Sequence, residues 1–170
     1  MVTREGWMGL GCLFCAIGLS VWWAVGATSQ TAVTGALPGT LRDHMKAERF
    51  DVVTAIRGLP LGVRDGLQKL FGSQTLDIAE SRGEGQGTDA ATTLERPLRR
   101  LVGAGCSIDH CLVYYERGGS DPAWLVALFH WTPAETRFEW GGHARGGLAT
   151  IEEVRNAALS GMVKGPVKSW

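Results

Sequence analysis

Residues 6–41 carry no charged side chain, and within them Trp7 to Ala27 is almost wholly apolar. No other feature limits so strongly what the chain can fold into. About 20 apolar residues in a helix span a hydrocarbon layer of roughly 30 Å. A helix of that length packed on a soluble core would show a polar stripe. Trp7, Met8, Leu10, Leu13, Phe14, Ile17, Leu19, Val21, Trp22 and Trp23 leave no room for one. The segment therefore reads as one that enters or crosses a membrane, and the rest of the chain must fold without it. Val25-Gly26-Ala27 offers the small residues a signal peptidase requires, so cleavage after Ala27 is one outcome. The length of the stretch, and Trp22 and Trp23 at the level of an interfacial aromatic belt, favour an uncleaved anchor. Arg4 precedes the span and no positive charge follows until Arg42. That asymmetry puts the N-terminus in the cytoplasm and the remaining chain outside it, on the periplasmic side. Too few apolar residues precede Cys12 for a lipid-modified cysteine, so Cys12 and Cys15 read as small apolar residues of the helix.

Residues 28–40 are small and polar, with Gly35, Pro38 and Gly39, and read as a linker. Residues 41–170 are the length of one ordinary domain. With 17 basic and 17 acidic residues there is no field of one sign to attract nucleic acid. Thr40 is placed to cap a helix from Leu41 to Arg49, and Phe50 to Ile56 has strand composition. Pro60 opens a second helix that carries Leu61, Val63, Leu67, Leu70 and Phe71 and stops at Gly72. A short strand is predicted over Thr75–Glu80 and a loop over Ser81–Thr93. Thr150 and Glu153 form a capping box for a helix that ends at Gly161.

Between Leu98 and His143 four strand-like runs alternate with turns of hairpin length: Leu98–Ala104, Cys111–Arg117, Ala123–Trp131 and Arg137–Gly141. The expected fold class is α+β: an N-terminal hydrophobic helix, then an antiparallel β-meander packed against two or three helices. If the turns close symmetrically, Arg117 faces Ala123, Trp131 faces Arg137, Cys106 faces Cys111 and His110 faces His130. One sheet face then gathers Leu112, Tyr114, Trp124, Val126, Leu128, Phe138 and Trp140. The other gathers Val113, Tyr115, Leu125, Ala127 and Phe129. Two apolar faces mean a sheet covered on both sides, or an exposed aromatic surface for a partner.

Outside the cytoplasm, opposed Cys106 and Cys111 form a structural disulfide. Their spacing fits neither a two-residue redox motif nor haem attachment. The turn holds Asp109 and His110, and with His130 these make a set for metal or acid–base chemistry. A polar turn histidine and a satisfied strand histidine account for the same residues, and that reading is preferred. No nucleophile motif or cofactor fingerprint is present, and neither a cofactor nor a metal is implied. Gly83, Gly85 and Gly87 lack the following helix of a phosphate loop. His143 and Arg145, between glycine pairs in a loop over Gly141–Gly147, are candidate anion contacts. Arg96, Arg99 and Arg100 read as a solvated edge, and the tail from Met162 to Trp170 as a segment that docks on the domain or on a partner.

Three functions follow. The preferred one is a tethered or secreted domain that acts by binding, as an accessory subunit of a cell-envelope complex. It has the membrane as one partner through residues 7–27, and Tyr114, Trp124, Trp140, His143 and Arg145 as contact residues. The second is a small extracytoplasmic hydrolase or metal-dependent enzyme using Asp109, His110 and His130. The third is a carrier that holds an apolar molecule between sheet and helix.

Overall fold

Pro60 fixes where the longest described helix begins. Its ring presets φ and it has no N–H to leave unpaired, so helix runs from Leu61 directly after it. Val63 and Leu67 fall on one face and are fully buried. Gly72 ends the helix in the left-handed conformation, φ 63°. There its N–H reaches the Lys69 carbonyl and the Ser73 N–H reaches that of Gln68. Both ends fall where the sequence places them.

The computed structural model describes residues 35–81, 96–165 and 167–170. In chain order it holds α1 (Gly39–Ala47), β1 (Asp51–Val53), a 3-10 turn (Ile56–Gly58) and α2 (Leu61–Phe71). There follow β2 (Arg99–Cys106), β3 (His110–Arg117), β4 (Ala123–Trp131), β5 (Thr136–Ala144) and α3 (Ile151–Leu159). The five strands form one antiparallel sheet in the order β1-β2-β3-β4-β5. The fold is α+β. No described helix is long and apolar enough to cross a membrane. Residues 7–27, to which the membrane expectation belongs, lie outside the described residues, as does the Gly83–Gly87 stretch.

The sheet is apolar on both faces and covered on both. On one side Leu101, Val113, Tyr115, Leu125, Ala127 and Phe129 pack against Val63 and Leu67 of α2, with Trp170 beside them. On the other, Leu112, Tyr114, Val126, Leu128 and Trp140 pack against Met45 of α1 and Val154, Ala157 and Ala158 of α3. The exposed aromatic face is therefore not found: Tyr114 and Trp140 are core residues, each 1% exposed. Leu37 is buried too, and the Gly35 carbonyl accepts the Trp140 indole N–H (2.9 Å), so packing extends upstream of α1.

Register agrees with expectation across β3 and most of β4, and in β2 from Cys106 back to Gly103, where a bulge at Val102 moves Leu101 opposite Tyr115. Arg117 faces Ala123, Cys106 faces Cys111 and His110 faces His130. At β5 it departs. Trp131 pairs with Thr136 rather than Arg137, and a bulge in β5, opposite the Leu128–Phe129 step of β4, restores the expected pairing of Leu128 with Trp140. The inserted residue is Glu139. Its insertion turns Phe138 to the α2 face, edge-on to Phe129 at 5.7 Å and to Trp170 at 5.1 Å, not to the Trp140 face as expected.

Other elements also differ from the sequence reading. β5 runs on through Ala144, so Gly141–His143 are strand, not loop. A side chain at Gly142 would collide with the Lys164 carbonyl, and one at Gly141 with the Val126 carbonyl and the Trp170 ring. These glycines serve close approach rather than mobility. His143 exchanges backbone hydrogen bonds with Lys164 (2.7 and 2.8 Å). Thr75–Glu80 contributes a single parallel bridge, Ala79 to Arg100, and Phe50–Ile56 only the three residues of β1. α1 starts at Gly39 behind Pro38, without a Thr40 cap. The Thr150 hydroxyl does accept the Glu153 N–H, so the cap of α3 stands.

Candidate functional site

Three side chains that can carry positive charge are buried among the described residues: Arg99, His110 and Arg117. The arginines are explained by packing. Arg99 is not a solvated-edge residue: it pairs with Asp77 (2.5 Å), lies 4.1 Å over the Phe71 ring and donates to the Trp170 carbonyl. Arg117 holds Ser169 and Asp121. Together they fasten the tail to the α2 face, as the docking expectation requires. Arg100, on the opposite face, pairs with Glu116.

His110 has a different setting. The Cys106–Cys111 disulfide closes the turn before it. Within the turn Ser107 and His110 exchange backbone and hydroxyl hydrogen bonds, and the Asp109 carbonyl takes the Trp131 N–H (2.8 Å). The imidazole is thus carried by a doubly fastened hairpin end. Its Nδ1 lies 3.0 and 3.1 Å from the two oxygens of Glu48 and 3.0 Å from Asp109 Oδ1. Its Nε2 lies 3.4 Å from Glu139 Oε2, long for a hydrogen bond, and that oxygen is buried without another partner. His130 comes from β4, ring centroids 5.4 Å apart. His44, one turn before Glu48, lies 5.2 Å away by the same measure and contacts Glu48 Oε1 at 3.0 Å.

Each group is placed by an identifiable local cause. α1 stops at Ala47, and Glu48 leaves it in extended conformation, which lays its carboxylate across the start of β3. The β5 bulge re-aims Glu139 toward His110. Arg137 then grips the far oxygen of Glu139 at 2.8 and 3.1 Å. The Glu139 contact, working against burial, and then Glu48 and Asp109 push the His110 pKa up to about 9. Burial alone would raise Glu139, but His110 and Arg137 outweigh it and hold the carboxyl below its usual range.

The site therefore collects negative charge around imidazoles. Asp109, His110 and His130 do converge, with ligating atoms within 4.8 Å of one another. His44, Glu48 and His110 form a second such group. A protonated His110 donates and is a poor general base near neutrality. The Ser107 hydroxyl donates to Glu48, not to an imidazole nitrogen, so no serine–histidine pair is built here. His44, Glu48, Arg137 and Glu139 were not singled out from sequence. The His44–Glu48 spacing of one helical turn was a visible signal, whereas nothing local marks the bulge.

The other sequence candidates lie elsewhere. The Tyr114 hydroxyl donates to the Arg145 carbonyl (2.8 Å), and Trp124 is half-buried against Gly146. His143 is half-buried and Arg145 exposed, at the opposite end of β5 from the cluster. Clefts are present among the described residues as well. One of about 780 Å³ lies between α2 and the β4–β5 turn, lined by Leu61, Leu70, Trp131 and Phe138 with Lys69, Glu135 and Arg137. Another, of about 260 Å³, lies beside Tyr114 and Ile151. Comparison with protein-family models, curated proteins and solved structures finds no match to this chain.

Proposed function

We propose that the chain is an exported, membrane-tethered domain that acts by binding, that its working site is the histidine–carboxylate cluster around His110, and that its ligand is a cation. One observation carries the reading. Glu48, Asp109 and Glu139 meet at a single imidazole with Arg137 as the one guanidinium among them, and in this cluster no serine is paired with an imidazole. Such a surplus of acid attracts positive charge and offers little to acyl or phosphoryl transfer. The disulfide beside the cluster, together with the apolar segment at residues 7–27, supports an oxidising compartment beyond a membrane.

The test is intact and native mass spectrometry of the chain purified gently from membrane and soluble fractions, with thiol alkylation before and after reduction. The expected species is full-length, membrane-bound, alkylated at Cys106 and Cys111 only after reduction, and heavier than the bare chain by a ligand that Glu48→Gln loses. Free thiols in the native chain, or a ligand mass that Glu48→Gln leaves in place, overturn the reading. A soluble species beginning at Thr28 replaces the tether by a cleaved signal.

The cleft of about 780 Å³ supports a second reading, as a carrier of a small, mostly apolar ligand, since its volume falls in the ligand-binding range of roughly 300–1,000 Å³. A co-purified organic ligand lost on Leu70→Glu, and kept by Glu48→Gln, would favour it.

A further inference from the structure

The geometry points to a site for one divalent transition-metal ion, held by His44, Glu48 and His110 with Asp109 completing the set. This rests on the reading of the cluster as a cation site and gives that cation its chemistry. His110 Nδ1 can carry one proton, yet three carboxylate oxygens lie within 3.1 Å of it, two from Glu48 and one from Asp109. His44 Nδ1 and the Ser107 hydroxyl turn to the same Glu48 carboxylate, so two imidazoles and two carboxylates face one point where a doubly charged ion would draw on all of them. His44 Nδ1 sits 3.0 Å from Glu48 Oε1, and the ligating atoms of His44, Glu48 and His110 lie within 4.8 Å of one another. Zinc bonds of about 2.0–2.2 Å to nitrogen and oxygen set tetrahedral ligand atoms roughly 3.3 Å apart. The spacings of 3.0–3.1 Å from His110 Nδ1 to Glu48 and Asp109, and of 3.0 Å from His44 Nδ1 to Glu48, lie close to that value.

The residue types select the class of ion. Two imidazoles with carboxylates suit zinc and its neighbours, whereas calcium and magnesium take oxygen ligands. Glu139 supplies an independent indication. A ligating histidine has its second ring nitrogen held as N–H by a carboxylate or carbonyl. Glu139 Oε2, buried and otherwise unpartnered, stands 3.4 Å from His110 Nε2, and Arg137 anchors its other oxygen. Glu139 is thus a positioning residue, not a ligand. His44 is 55% exposed at its side chain, which leaves an access path from solvent.

The experiment uses the untagged full-length chain, oxidised, in detergent. Zn²⁺ is titrated by calorimetry and Co²⁺ by visible absorption, with Ca²⁺ and Mg²⁺ as controls. The expected result is one Zn²⁺ per chain at micromolar affinity or tighter, and a Co²⁺ spectrum of four-coordinate intensity. His44→Ala and Glu48→Gln, both near the surface and checked for unchanged thermal unfolding, should each weaken Zn²⁺ by about tenfold or more. Glu139→Gln should weaken it about 10–100-fold while leaving the position of the Co²⁺ bands unchanged. Non-stoichiometric Zn²⁺ uptake, His44→Ala and Glu48→Gln variants that bind as the parent does, or Ca²⁺ binding of equal strength would overturn the proposal. An exported, oxidised chain that carries a Glu48-dependent organic cation and ignores Zn²⁺ sinks this inference alone. A reduced, cytoplasmic chain that binds one Zn²⁺ through these residues sinks only the broader reading.

Discussion

His110 is met by charge from every element around it: Glu48 and His44 from α1, Asp109 from the turn, His130 from β4, Glu139 and Arg137 from β5. Its folded pKa of about 9 stands above the ordinary value of 6.5. The proton is bound more tightly in the folded chain, so the stability it brings is full below about pH 6.5 and is lost as pH rises through about 9. A shift of that size corresponds to a loss on the order of 1–3 kcal/mol. With a chelator present, the thermal midpoint should fall by about 5 °C between pH 6.5 and 10, and His110→Gln should flatten that slope. A parent chain whose midpoint is level across the same range would show that the proton is not held.

Among the elements, α2 shows how packing overrides propensity. Alanine is the better helix former, by about 1 kcal/mol over glycine. At Gly66, however, a Cβ would meet Phe129 Cε1 at 2.8 Å, and that ring is buried and fixed edge-on to Phe138. Gly66→Ala should therefore lower stability by about 1–2 kcal/mol in urea unfolding; a stabilised variant would mean that Phe129 has room to yield. The same contrast decides what the sequence reveals. β3 and β4 were legible because their period-two pattern and hairpin turns are local, and β2 because its partner follows at once. The strand expected at Thr75–Glu80 failed because a few alternating residues do not specify a partner. β5 was half legible: its residues read as strand, but the bulge that turns Phe138 and Glu139 is set by packing on both faces. For the same reason the site was seen in part. Asp109, His110 and His130 are joined by hairpin register, whereas Glu48 arrives from a helix far upstream in the chain.

For the molecule as a whole, the tail closes the α2 face. The Trp170 ring stands edge-on to Phe138 at 5.1 Å and lies over Gly141, while its carbonyl accepts from buried Arg99. Trp170→Ala, which removes the ring but keeps the backbone oxygen that Arg99 bonds, should cost about 2–3 kcal/mol. A change under about 0.5 kcal/mol, the level of an ordinary surface substitution, would show that the tail contributes nothing to stability.

The strands stand in the sheet in the order in which they are synthesised, each beside its sequence neighbour. Hairpin can thus add to hairpin as the chain emerges, at little loop-closure cost. α1 is the exception. It comes first, but Arg42 bonds the Leu159 carbonyl and Arg155 bonds those of Met45 and Lys46, so its seat awaits α3. The two ring nitrogens of His110 are likewise closed by residues on either side in time, Glu48 made before it and Glu139 after. A cation that needs both finds its site only on a chain whose ends have met across the sheet, so its capture marks the moment at which folding is complete.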